Sequence, residues 1–189
     1  MTIKADIAKA LRAHGITPEA PLVNLQRGSD IWSDLRTLVV KVGGWGNRIS
    51  NLDGLRALRD AGVRSEQILI DEVIEVGDRG AVVVGYLRPD RPIRADDAEA
   101  VGALLRDVHE AMLASDIWYP PLDGYVFAPD DWLAQNIIIH GDLPYLVDLD
   151  LWDERERKES VATMCSDFMR QLLHNADDIA AFHRGYGTY

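Results

Sequence analysis

The chain has 189 residues, with 31 acidic against 20 basic side chains and a formal net charge of −11. That length fits one domain or one two-lobed unit, and an apolar fraction of 47% supports a packed core and excludes wholesale disorder. So acidic a chain repels a phosphate backbone, which argues against general nucleic-acid binding. One cysteine, Cys165, excludes an intrachain disulfide framework and a cysteine-rich zinc site. No signal-peptide run and no apolar stretch of about 18 residues is present, so a soluble, cytoplasmic protein without a membrane partner is expected.

Residues 2–14 set Ile3, Ile7 and Leu11 on one helical face, and Gly15 stops the run. From about 21 to 42 the pattern turns to short β-like stretches. Leu22, Val23 and Leu25 precede Arg27-Gly28-Ser29-Asp30, and Thr37-Leu38-Val39-Val40-Lys41-Val42 follows. After Gly43, Gly44 and Gly46 a helix is expected over 50–61, with Leu52, Leu55 and Leu58 inward, then strands at 67–76 and 81–87. Pro89 and Pro92 punctuate the chain. Val101, Leu104, Leu105, Val108 and Met112 then keep the 3.6-residue period of a helix. Residues 116–130 read as loop, with Trp118 to Pro121 as packing residues or the wall of an acceptor site. Asn136 to His140, a Gly141-Asp142 turn and Tyr145 to Leu149 read as a β-hairpin. The charged run 153–159 reads as a solvated face, and Val161, Met164, Cys165, Phe168 and Leu172 mark a final helix. The prediction is an α+β chain of two lobes, 1–88 rich in strand and 89–189 rich in helix.

Four polar residues fall where this order of elements makes them convergent. Lys41 lies inside an apolar strand. Asp131 and Asn136 flank a short loop that leads into the hairpin, and Asp148 lies on its return strand. Phosphoryl transfer needs hard oxygen ligands for Mg²⁺, which Asn136 and Asp148 supply, and a carboxylate to take the proton of an attacking hydroxyl, which is Asp131. Lys41 supplies a cation for the phosphates. Each residue also has a plain structural reading, as an edge-strand charge for Lys41 and as turn or cap residues for the others.

The sequence resembles the aminoglycoside phosphotransferase and choline kinase branch of the protein-kinase-like superfamily. Residues 129–139, Pro-Asp-Asp-Trp-Leu-Ala-Gln-Asn-Ile-Ile-Ile, stand where that branch has H-G-D-x-x-x-x-N and a strand, and Leu146-Val147-Asp148-Leu149-Asp150 stands at its metal motif. Val40-Lys41-Val42 is similar to its strand lysine, Leu104 to His109 to its L-L-x-x-L-H helix, and Phe182 to Gly187 to its F-x-x-G-Y tail. The resemblance implies a two-lobed kinase-like fold, ATP or GTP as donor, Mg²⁺, and an unidentified small-molecule acceptor. It implies phosphate contacts from Gly28 and Ser29, where a plain β-turn is the other reading, and adenine contacts from the backbone near Tyr86. It also implies an acidic partner for Lys41; Asp53 is the residue available, and a capping interaction with Ser50 accounts for it equally. Pro129 and Asp130 depart from the family's histidine and glycine, which favours the alternative of a pseudoenzyme that binds nucleotide or a protein partner.

Three other signals carry less. His140-Gly141-Asp142 spells the family triplet but leaves no room for the asparagine and the hairpin, so it reads as the hairpin turn. Val39 to Gly44 resembles the opening of the amino-acid kinase family, which leaves Asp131, Asn136 and Asp148 unexplained. Gly44-Trp45-Gly46 lacks the third glycine of a dinucleotide fingerprint. His109 reads as a core or loop-bracing histidine.

Overall fold

The computed structural model describes residues 2–25, 30–117, 121–129, 134–149, 152–172 and 175–187. By its contacts the chain divides into two compact units, Met1–Asp53 with Glu66–Arg88, and Gly54–Ser65 with Pro89–Tyr189. Residues 54–65, which the sequence places with the strand-rich lobe, pack with the second unit.

The first unit holds α1 (Ile3–Ala13), β1 (Val23–Asn24), β2 (Ile31–Ser33), β3 (Leu38–Gly43), the first half of α2 (Trp45–Asp60), β4 (Ile74–Val76) and β5 (Arg79–Gly85). The strands form one antiparallel sheet in the order β1-β2-β3-β5-β4. Its core follows from the period-two pattern of β3. Leu38, Val40 and Val42 pack with Ile7 and Leu11 of α1 and with Ala81 and Val83 of β5. Each such side chain contributes about 1.5–3 kcal/mol when fully buried. Val39, Lys41 and Gly43 therefore stand on the opposite face of the sheet.

The turn into β3 is fixed by Asp34. Its carboxylate accepts hydrogen bonds from the Thr37 hydroxyl and from the backbone N–H of Arg36, Thr37, Leu38 and Glu19. Burial pushes this carboxyl up, but the bonds from Thr37, Leu38 and Arg36 outweigh it and hold the group well below the usual carboxylate range.

Two boundaries differ from expectation. Helix α2 begins at Trp45 rather than near Ser50. Gly43 and Gly80 are register partners, and a Cβ on Gly80 would lie 3.2 Å from the Trp45 ring, so the glycines admit the helix rather than break it. The strand expected over 67–76 shrinks to β4; residues before it follow β5 through bonds from Gly85 N–H to the Gln67 carbonyl and Leu69 N–H to the Val83 carbonyl.

The second unit centres on α3 (Ala98–Ala114), which buries Val101, Leu104, Leu105, Val108 and Met112. Around it come β6 (Tyr125–Pro129), β7 (Ile137–His140), β8 (Leu143–Leu146), β9 (Trp152–Glu156), α4 (Arg157–Gln171) and α5 (Ala176–Tyr186). Strands β6 and β9 pair from Tyr125↔Glu156 to Pro129↔Trp152. Both correct the sequence reading, which took 116–130 as loop and 153–159 as a solvated run. Charges on Asp153, Glu154, Arg155 and Glu156 hide any apolar alternation there. The Phe182 to Tyr186 segment is helical, and Asn175 caps its helix by accepting from the N–H groups of Asp177 and Asp178. Among the described residues no helix is long and apolar enough to cross a membrane.

Helices α3 and α5 meet backbone to backbone. A Cβ on Gly185 would lie 1.8 Å from the Glu99 carbonyl oxygen, and one on Gly102 would lie 2.0 Å from that of Phe182. Gly185→Ala should therefore force the helices apart and lower stability by about 1–3 kcal/mol or more. Gly46→Ala, in a helix with nothing within 4 Å, should instead raise it by about 0.5–1 kcal/mol. Urea unfolding of both variants checks this, and a Gly185→Ala protein as stable as the parent would refute the close crossing.

Candidate active site

Lys41 occupies the middle of the central strand, opposite Ile31 on one side and Val82 on the other. Its side chain is 1% exposed, and its ammonium lies 2.8 Å from Glu66 Oε2, itself 6% exposed. Asp53, expected opposite Lys41, stands half-buried on α2, while the carboxylate at hydrogen-bond distance is that of Glu66. Glu66 follows α2 by six positions and belongs to no helix, so no periodic signal marks it. Tyr86 follows β5, and its N–H donates to the Thr37 carbonyl at 3.0 Å. That N–H is occupied within the protein.

In the second unit β7 and β8 form a tight hairpin, with Ile137↔Leu146 and His140↔Leu143 in register. Gly141 and Asp142 turn the chain with φ of 57° and 61°, the paired positive angles of a type I′ turn. His140 and Asp142 are thus hairpin-tip residues, as the spacing predicted. Asp90 braces the tip by accepting from Gly141 N–H at 2.6 Å, and Arg64 Nε donates to the Pro144 carbonyl at 3.0 Å.

The base of this hairpin joins two of the expected site residues. Val147 N–H donates to the Asn136 carbonyl at 2.8 Å, which sets Asn136 beside the residue preceding Asp148. Asn136 is 5% exposed. Asp148 is half-buried with φ of 59°, a left-handed conformation that is sparsely populated for residues other than glycine and asparagine. The pair offers a carboxylate and an amide oxygen, both hard donors, and this fits Mg²⁺, which takes one or two protein ligands and completes its shell with phosphate and water. Among the described residues no three His, Cys, Asp or Glu side chains cluster to form an all-protein metal site.

The structure thus brings Lys41 to Glu66 in one unit and, in the other, sets Asn136 against Val147, the residue before Asp148. Asp131, Gly28 and Ser29 lie outside the described residues.

His109 is a core residue. It is fully buried, with Nδ1 2.8 Å from the Tyr186 hydroxyl and Nε2 2.9 Å from Ser160 Oγ. Arg157 donates to the same Tyr186 hydroxyl and to Glu110. Burial pushes the imidazole pKa from 6.5 down to about 3, and the charges of Arg157 and Arg155 push the same way. Cys165 is buried as well, and burial raises its thiol pKa, so it lacks the thiolate character of a nucleophile.

No protein-family model matches the sequence, and no curated protein matches it significantly. Solved structures do match the fold. A spectinomycin phosphotransferase in complex with ADP and spectinomycin superposes with a TM-score of 0.74 at 14% identity, over 98% of this chain and 80% of that one. An aminoglycoside-3′-phosphotransferase of type VIII gives 0.64 at 18% identity, over 96% and 91% of the two chains. A choline/ethanolamine kinase family protein from Mesorhizobium loti gives 0.64 at 16% identity, over 98% and 76%. The chain has the protein-kinase-like fold shared by aminoglycoside phosphotransferases and choline kinases.

The His109 environment sets a pH dependence. The folded pKa lies below the unfolded value, so the unfolded chain takes up a proton first as the pH falls through 6.5, and stability is lost progressively down to about pH 3. Each pH unit in that window costs up to about 1.4 kcal/mol from this residue. Between pH 7 and pH 5 the parent should therefore lose about 2 kcal/mol more than a His109→Asn variant in urea unfolding. Equal losses would show that His109 is not held neutral by its surroundings.

Proposed function

We propose that the protein is a small-molecule phosphotransferase, moving the γ-phosphoryl group of ATP or GTP to a hydroxyl acceptor. The observation that carries this reading is the buried Lys41–Glu66 pair on the central strand of a kinase-like sheet. Placing two charges out of water is costly, and a pair of apolar residues would serve stability as well or better. A ligand that needs a fixed, positioned ammonium accounts for the pair. The neighbour whose structure holds ADP with spectinomycin supports nucleotide use and a small-molecule acceptor.

In this reading Lys41 binds donor phosphate and Glu66 fixes its ammonium. Asn136 and Asp148 hold Mg²⁺, which when bound neutralises charge on the donor phosphates. Tyr86 lies where backbone carbonyls receive the adenine or guanine, with Gly28 and Ser29 offering amides to phosphate and Asp53 flanking the site on α2. Asp131 accepts the proton of the acceptor hydroxyl as its oxygen bonds to the γ-phosphorus and the bond to the bridging oxygen breaks. The setting is the cytoplasm, where nucleotide triphosphates are abundant. Pro129, paired in β6 with Trp152 and standing where the resemblance implies a histidine, favours the second reading of a nucleotide-binding pseudoenzyme.

Asp148→Asn should abolish Mg²⁺-dependent nucleotide binding while leaving the melting temperature of the ligand-free protein nearly unchanged. Asp131→Ala should keep nucleotide affinity within a few-fold and lower turnover on a responsive alcohol by about 10²–10⁴. Titration with nucleotide, with and without Mg²⁺, followed by a turnover screen over an alcohol library, checks both. Nucleotide binding without turnover on any alcohol would establish the pseudoenzyme instead.

A further inference from the structure

The face of the sheet that carries Lys41 carries a second cation. Gly43 follows Lys41 by two residues, so both stand on that face, about 6.6 Å apart along the strand. Where a Cβ on Gly43 would be, the Arg48 guanidinium already lies, with Nε at 2.5 Å and Nη2 at 2.9 Å from that point. Arg48 is 8% exposed, and arginine is seldom fully buried unless paired, so its place on this face is specified by its surroundings. Gly43 pairs with Gly80, and the Trp45 ring lies against Gly80 on the same face. Two side-by-side glycines thus make a flat seat at the end of the sheet, and the first turns of α2 lay an aromatic ring and a guanidinium on it.

The order along β3 and β5 gives the seat a direction. Leu38 pairs with Gly85, next to Tyr86; Lys41 pairs with Val82; Gly43 pairs with Gly80. On the reading above, a nucleotide lies with its base at the Tyr86 end and its first phosphates at Lys41. Continuing the same line by two residues reaches Arg48. We propose that Arg48 is a second phosphate-binding residue, which reads the distal end of the polyphosphate and so separates a nucleoside triphosphate from its di- and monophosphate. A planar guanidinium suits this task, since it can meet two phosphate oxygens at once. Gly43 is the position that lets it lie there, because any side chain would take up its place.

This inference rests on the nucleotide reading of the Lys41 face, and the test separates the two. Binding of AMP, ADP and AMP-PNP is measured with Mg²⁺ for the parent, Lys41→Ala, Arg48→Gln, Arg48→Lys and Gly43→Ala, alongside melting temperatures. Arg48→Gln should weaken AMP-PNP at least ten-fold and AMP less than two-fold, with ADP between. Arg48→Lys should recover part of the loss, and Gly43→Ala should reproduce the graded pattern more weakly by displacing the guanidinium. Lys41→Ala should weaken ADP and AMP-PNP alike. A parent that binds none of the three would sink the nucleotide reading together with this proposal. A parent that binds them through Lys41, with Arg48→Gln affecting all three equally or none, would overturn the role of Arg48 alone. Should Arg48→Gln fail to fold, an ungraded response of Arg48→Lys and Gly43→Ala would overturn it too.

Discussion

A charged pair at the centre of a sheet constrains everything built around it. Lys41 is 1% exposed on the middle strand, and Glu66 meets it at 2.8 Å. Removing either partner of such a pair leaves an uncompensated buried charge and costs about 3–5 kcal/mol. The chain after α2 is therefore held where Glu66 can reach the strand. The bonds that tie Gln67 and Leu69 to β5 do that holding in the next few residues. On β3 the face towards α1 is apolar, and on the opposite face Lys41 stands among Val39, Val82 and Val84.

Glycine does similar work at two distant places. Gly43 and Gly80 admit Arg48 and Trp45 onto the sheet, and Gly102 and Gly185 let α3 and α5 touch through their backbones. At the helix crossing alanine would meet backbone, whereas at the sheet it would meet side chains that have to shift. The helix crossing gives the F-x-x-G-Y segment a physical reason: its glycine meets α3, and its tyrosine anchors His109 and Arg157 from the same helix.

Strongly periodic elements were legible from the residues. The Ile7 and Leu11 face of α1, the Val101 to Met112 stripe of α3 and the Gly141-Asp142 turn carried signals that tertiary contacts did not override. Short or masked elements were not. Strand β2 has three residues, too few to show a period, and β9 pairs through residues whose charges suggest solvent. The glycines before α2 read as a loop because their role is to be approached, which only the fold reveals. Lys41, Asn136 and Asp148 are candidates by strand burial and hairpin spacing, and β8 ends at Leu146, so Asp148 follows the return strand rather than lying on it. Glu66 could not be named, since an acidic residue in an irregular segment has no pattern to betray its partner. Arg48 was missed for a related reason, as its burial depends on an empty space at Gly43.

The central claim is that the Lys41–Glu66 pair is kept for a ligand rather than for stability. A Lys41→Met, Glu66→Leu double variant tests it most directly, because it removes both charges and leaves an apolar pair of similar size. That protein should melt at or above the temperature of the parent, as apolar replacement of a buried ion pair commonly does. It should also have lost measurable affinity for nucleotide in the presence of Mg²⁺. A double variant that binds nucleotide as tightly as the parent would contradict the account.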